Sequence, residues 1–322
     1  MRNAMKTDAM LENRVLRADL LTRRRFVATA AGAFATTILV GAEAAAEEKP
    51  LVRFGLVTDP HSGSLESTKP PGEVRAFRES PGKMREFVSV MNARKVDFVA
   101  ELGDFAECHG SRQSTIAALD EIEGVFSGFE GPRYHVIGNH DLEGLPRDEI
   151  AKHISNTGIE KGRTYYSFVR GGVTFAVLDH GFYADGTAMG PGRTHWAKGH
   201  LSPEQWKWFD EVLGAAKGPV VTLSHWRLDP NGRGGLEALD AGRMREVFVR
   251  SGKVKASFCG HHHYGDYGVW DGIGYYCQRA MVTGSGPENS SYAEVAVYPS
   301  GRFSVTGFRK ARTAEWCAGA KM

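Results

Sequence analysis

The 322-residue chain has four cysteines, Cys108, Cys259, Cys277 and Cys317, and no C-x-x-C pair among them. A thiolate zinc site is therefore not expected. Four cysteines allow three disulfide pairings, and the sequence alone does not choose among them. No apolar run reaches the ~20 residues that a membrane-spanning helix needs. Over residues 47–322 there is no run of five like charges, and 33 Lys/Arg stand against 34 Asp/Glu. A near-neutral body argues against a dedicated nucleic-acid binder, which presents a basic face. There is no internal repeat, no low-complexity tract and no linker after residue 50, so a solenoid or a chain of modules is excluded.

What is abundant is glycine, 39 residues, which points to tight turns and long loops. The apolar fraction, 42%, is enough for a sizeable core. The N-terminus reads differently from the rest. Arg23, Arg24, Arg25 and Phe26 precede a short apolar stretch from Val27 to Gly41, followed by Ala44-Ala45-Ala46. A charged region, an apolar region and small residues at a cleavage point make an export signal, and the arginine pair before Phe26 resembles a twin-arginine signal. The expected organisation is a cleavable signal over residues 1–46 and one domain over 47–322. The mature chain then has no membrane span, meets the twin-arginine translocase, and ends in the periplasm or outside the cell.

Within the body, residues 51–58, 96–102, 133–137, 164–169, 173–178, 219–224 and 255–259 read as strands. Helices are expected from Ser80, over 113–127, from Ser202 to Ala215, and over 237–250. Gly171-Gly172 marks a hairpin, and Ser202-Pro203-Glu204-Gln205 a capping box. Three further strands follow residue 270. Alternating strands and helices, then mostly strands, predict a mixed α/β sandwich.

Polar residues cluster where these strands end. The first delivers Asp59 and His61, the second Asp104 and Glu107, the third Asn139, His140 and Asp141. The strand at 219–224 delivers His225, and that at 255–259 delivers His261, His262 and His263. Strand C-termini of an α/β sheet face one crevice, so residues distant in sequence converge there. Oxygen and imidazole donors without thiolate suit manganese, iron or zinc, and a carboxylate can bind both ions of a two-metal hydrolytic site. A structural zinc module gains little from a weak amide ligand such as Asn139.

These motifs, Asp59-Pro60-His61, Gly103-Asp104-Phe105-Ala106-Glu107, Gly138-Asn139-His140-Asp141, His225 and Gly260-His261-His262-His263, resemble those of the calcineurin-like metallophosphoesterases over nearly the whole mature chain. The resemblance implies a four-layer αββα sandwich, two mixed β-sheets flanked by helices. It implies two transition-metal ions (manganese, iron or zinc), one held by Asp59, His61, Asp104 and His263, the other by Asp104, Asn139, His225 and His261. It gives His140 the acid's place beside the leaving group and Glu107 the task of orienting it, although the family usually has Asp or Asn at position 107. The implied reaction is hydrolysis of a small phosphorylated substrate, a phosphomonoester or nucleotide-type diester, by a hydroxide bridging the ions. A nuclease is the alternative, and it would want a basic groove that the composition does not offer. Glu107 and His61 exclude the purple acid phosphatase variant. Among the remaining residues, His262 reads as structural, Asp141 as a loop residue bonding backbone, and His180 as a candidate pocket residue. Gly181–His200 reads as a lid or a solvated excursion, and Arg75, Arg78 and Lys83 as solvated cations.

Overall fold

A computed structural model describes residues 48–108, 110–231 and 236–319. The export signal expected over residues 1–46 lies outside the described residues.

Two six-stranded sheets face each other. The first contains β1 (Val52–Val57), β2 (Phe98–Glu101), β3 (Arg133–His135), β10 (Ser291–Val297), β11 (Arg302–Arg309) and β12 (Ala314–Cys317), in the order β12-β11-β10-β1-β2-β3. Strands β1, β2 and β3 are parallel, whereas β10 returns antiparallel along β1, with Phe54 opposite Val295. The second contains β4 (Tyr166–Arg170), β5 (Val173–Leu178), β6 (Val220–Ser224), β7 (Val254–Cys259), β8 (Asp266–Trp270) and β9 (Ile273–Cys277), in the order β4-β5-β6-β7-β9-β8. Its four central strands are parallel and both edge strands antiparallel.

Alternating apolar residues explain the layering. Val52, Phe54 and Leu56 of β1 point to the interior between the sheets, where they meet Phe98, Phe175, Val295 and Phe258. The rings of Phe54 and Phe98 stack at 4.9 Å. The opposite face of the first sheet, with Val57 and Val99, packs on α1 (Ser80–Arg94) and α2 (Arg112–Phe126) through Met84, Phe87, Met91, Leu119 and Ile122. The outer face of the second sheet packs on α5 (Pro203–Ala215) and α6 (Ala241–Ser251) through Trp206, Phe209, Leu213, Met244 and Phe248. This is the four-layer sandwich expected from the sequence.

Several local expectations are corrected. Helix α6 begins at Ala241 rather than 237, because Glu237 pairs with Arg227 in an isolated bridge. The capping box at Ser202 is half formed. Ser202 Oγ accepts from Gln205 N–H, but the Gln205 amide turns away to bond both backbone groups of Asp179. Two short helices, α3 (Asn139–Gly144) and α4 (Arg147–His153), and the edge strands β8 and β12 were not foreseen.

Candidate active site

Parallel strands carry their C-terminal ends to one pole. Asp59 and His61 follow β1, Asp104 follows β2, and Asn139 and His140 open α3 after β3. His225 follows β6, and His261 and His263 follow β7. Four of these residues, Asp59, His61, Asp104 and His261, have φ between 43° and 67°. That left-handed backbone is uncommon for non-glycine residues and clusters at functional sites. The turns are held by buried contacts. Asp141 accepts from the N–H groups of Gly138 (2.8 Å), Asp104 (3.0 Å) and Phe105 (2.9 Å), and Asp104 Oδ1 accepts from His140 N–H at 2.8 Å. A Cβ on Gly138 would strike the Asp104 carboxylate, and one on Gly260 would strike Thr58 and Asp59.

The ring nitrogens reveal what the pole can bind. His61 Nδ1 lies 2.8 Å from Glu107 Oε2, and His263 Nδ1 lies 2.9 Å from Glu73 Oε2. An ionised carboxylate only accepts, so both Nδ1 atoms donate. Their Nε2 atoms then face each other at 3.2 Å, with Asp59 Oδ1 3.3 Å from His263 Nε2 and 3.7 Å from His61 Nε2. Three acceptors thus converge. The same occurs alongside. His225 Nδ1 donates to Leu102 O at 2.8 Å, and its Nε2 stands 3.1 Å from Asp104 Oδ2 and 3.1 Å from His261 Nδ1. Asp104 Oδ2 is also 3.6 Å from His61 Nε2, so it borders both clusters. Among the described residues, buried Asp59 Oδ1 and Asn139 Oδ1 have no hydrogen-bond partner, and such orphans are rare in folded proteins. Acceptors spaced 3–4 Å apart match neighbouring ligands around an ion with bonds of ~2.1 Å. The donor set therefore fits two transition-metal ions.

Electrostatics agree. Burial alone would raise the Asp59 and Asp104 carboxyls, but the surrounding imidazoles hold both well below the usual range. Burial alone would lower His225, yet the facing Asp104 and Asp59 push it up to about 10. The pole thus favours positive charge. His261 goes the other way, down to about 3, through burial and the neighbouring His225.

Glu107 does more than the sequence suggested. Its Oε1 accepts from His140 Nδ1 at 2.8 Å while Oε2 accepts from His61, so one carboxylate spans two rings. The imidazoles outweigh burial and hold Glu107 at about 2. Burial opposes protonation of His140, but Asp104, Glu107 and Glu143 raise it to about 9.

An open cavity of about 300 Å³ over the pole is lined by Asp104, Asn139, His140, His261 and His263, together with Arg75, Glu143, Trp196 and Leu236. Sequence reasoning missed Glu73 and Glu143. Glu73 sits in a Gly/Pro-rich loop with no motif to mark it, yet it accepts from His263, Thr283 and Arg75. Arg75 is a cavity residue rather than a solvated cation, and Lys83 is buried, donating to the carbonyls of Met281 and Gly284. His180 is fully buried and is not among the residues that line this cavity. His262 accepts from Arg227 Nη1 at 3.0 Å, away from the two flanking imidazoles' cluster.

Comparison with known proteins agrees with this geometry. Residues 52–265 match the calcineurin-like phosphoesterase family. A manganese-dependent ADP-ribose/CDP-alcohol diphosphatase of Oryza sativa subsp. japonica is 26% identical over 85% of this chain and 96% of its own length. One of the same description from Arabidopsis thaliana is 30% identical over 38% of this chain and 40% of its own. A dimetal phosphatase from Danio rerio shares the fold, with a TM-score of 0.72 and 19% identity, over 84% of this chain and 100% of its own. This chain belongs to the calcineurin-like phosphoesterase family, a hydrolase of phosphate esters that works with transition-metal ions.

Proposed function

We propose that one ion is held by Asp59, His61, Asp104 and His263, the other by Asp104, Asn139, His225 and His261, and that Asp104 is shared. The observation that carries this reading is the convergence of acceptor atoms on two points beside one carboxylate oxygen. Two ions bound there supply a hydroxide near neutral pH and offset charge on the phosphoryl oxygens. The remaining steps belong to the protein. Glu107 fixes His140 through Nδ1, which leaves Nε2 for the substrate. Held protonated at neutral pH, His140 hydrogen-bonds the phosphoryl group or passes the Nε2 proton to the leaving oxygen. Asp59 and Asp104 keep their ligating orientation through bonds from the N–H groups of His261 and His140.

The substrate we propose is a nucleoside diphosphate conjugate, cleaved between its two phosphates, with manganese as the working metal. The rice diphosphatase, similar along nearly its whole length, supports this. So do two cavity residues. Arg75, steadied by Glu73 at 3.0 Å, offers a guanidinium to a second phosphate, and the half-exposed Trp196 offers an indole face to a base. Incubation with manganese and ADP-ribose should release AMP and ribose 5-phosphate, with a higher kcat/KM than for a simple alkyl phosphate. Release of inorganic phosphate from monoesters, with ADP-ribose left intact, would refute the substrate class.

We further propose that residues 1–46 are a cleaved twin-arginine signal and that the mature single domain, 47–322, works in the periplasm or outside the cell. Export in a folded state suits a protein that loads its metals before crossing the membrane. Arg23→Lys with Arg24→Lys should retain active enzyme in the cytoplasm, and unchanged export of that variant would point to another route.

A further inference from the structure

Two of the four cysteines meet in the fold. Cys259 ends β7, Cys277 ends β9, and the two are register partners in a parallel ladder. In-register partners project to the same face of a sheet, with strands about 4.8 Å apart, which lies inside the ~4.4–6.8 Å Cα separation a disulfide spans. Both residues are 4% exposed. Cys277 Sγ also donates to Gly260 O at 3.1 Å, so the pair lies under the turn that carries His261 and His263. Cys317 is exposed at the end of β12 in the other sheet, and Cys108 lies beside Thr115 and Gly144. Neither is placed to compete.

We propose that Cys259 and Cys277 are a reversible disulfide pair whose bond closes a ring around His261 and His263. The inference rests on strand register and not on the metal ligands or the substrate, so it stands or falls independently of both. The chemistry is thiol–disulfide exchange with an external disulfide oxidant, such as glutathione disulfide or the disulfide form of an oxidoreductase. One cysteine sulfur attacks the oxidant's S–S bond, forms a mixed disulfide and releases the first oxidant thiol. The second cysteine sulfur then attacks the first, forms the Cys259–Cys277 bond and releases the second oxidant thiol. The pair loses two electrons and two protons, and both end on the two thiols of the reduced oxidant. Strand partners hold their Cβ atoms wider than the ~3.8 Å of a relaxed disulfide. A link made here is strained, and strained links are the readily reduced ones.

The bond would tie the end of β7 to the end of β9, fixing both ends of the His-bearing segment. The backbone already joins them, through Gln278 N–H to Cys259 O at 2.8 Å and Ala280 N–H to His263 O at 3.1 Å. A cross-link round a loop of roughly 18 residues should raise the melting temperature by about 5–10 °C in a domain of this size.

The test is peptide mapping. The mature chain is refolded in glutathione buffers of graded redox ratio, the remaining thiols are alkylated, and the protein is digested without reduction. The expected result is one cross-linked species joining the Cys259 and Cys277 peptides in oxidising buffer, absent in reducing buffer, with Cys108 and Cys317 alkylated throughout. The rise in melting temperature should vanish in Cys277→Ala, where Cys259 stays alkylatable. If that variant does not fold, the mapping of the unsubstituted protein decides alone. Cys259 and Cys277 alkylated at every redox ratio, or linked to Cys108 or Cys317, would overturn the proposal.

Discussion

At the scale of single residues, the length of one side chain decides how the site is wired. The family usually has Asp or Asn at position 107, and the extra methylene of Glu107 lets its two oxygens reach His61 and His140 together. If His140 protonates the leaving oxygen, its value grows with the basicity of that oxygen. Glu107→Gln and His140→Asn should therefore both retain two metals and lose more rate on alkyl than on aryl substrates. His140→Asn should fall by about 10²–10⁴-fold on alkyl esters, and Glu107→Gln by less. Kinetics across a leaving-group series, beside metal analysis, check this; equal losses on all leaving groups would assign His140 to phosphoryl charge instead. The second residue-scale case lies behind the site. Buried His135 stands between Glu101 (3.3 Å) and Glu123 (3.2 Å), whose carboxylates override burial and raise it to about 9. Its folded pKa exceeds the unfolded ~6.5, so its stabilisation is full below about pH 6.5 and fades as pH rises through about 9. Burial raises Glu101 as well, to about 8, and acts in the same direction. His135→Gln should cost about 3–5 kcal/mol near pH 6.5, because it removes one partner of the buried ion pair with Glu123. Urea unfolding of the metal-free proteins at pH 6.5 and 9.5 should show that difference shrinking, and a constant difference would contradict the ion-pair account.

At the scale of elements, the motif turns matter more than the strands they end. Helix α3 is short, yet its Asp141 gathers N–H groups from Gly138, Asp104, Phe105 and, at 3.4 Å, Ala106, which ties the turn after β2 to the turn after β3. An asparagine keeps one accepting oxygen and sets an NH₂ against two of these donors. Asp141→Asn should lower stability by about 1–3 kcal/mol and weaken metal binding, though Asp141 touches no proposed metal position. Calorimetric metal titration and urea unfolding together test this, and intact metal affinity in the variant would show that the two turns are held by other contacts. This scale also shows what the sequence could reveal. The strands were legible because Val52, Phe54 and Leu56 alternate into one core and the polar clusters punctuate their ends. Helix α3 was hidden because the same four residues that signal a metal motif also begin it. Edge strand β8 was hidden because half-buried Asp266–Trp270 carries no clean alternation. The capping pattern at Ser202 misled because Gln205 found better partners on Asp179, a tertiary contact that local sequence cannot show. Glu73 was invisible for the same reason, since only folding brings its loop to His263.

At the scale of the molecule, two sheets place five strand ends at one pole, and the core between them fixes their relation. The apolar interior from Phe54 to Phe258 is what keeps Asp104, on the first sheet, 3.1 Å from His225 on the second. Neither sheet alone holds both clusters: Asp59 and His61 meet His263 across the sandwich, and Asp104 meets His225 and His261. Two ions would therefore join the halves as well as drive the chemistry, and metal loading should raise thermal stability by mass action. The central claim is that phosphoester hydrolysis needs both positions filled. Its most direct test is manganese titration of the chelator-stripped enzyme, with bound metal and hydrolysis of ADP-ribose and of an aryl phosphate measured on the same samples. The account predicts activity that is absent at zero metal, rises with the second equivalent and saturates at two ions per chain. Full activity on either substrate in a verified metal-free sample, or saturation at one ion, would contradict it.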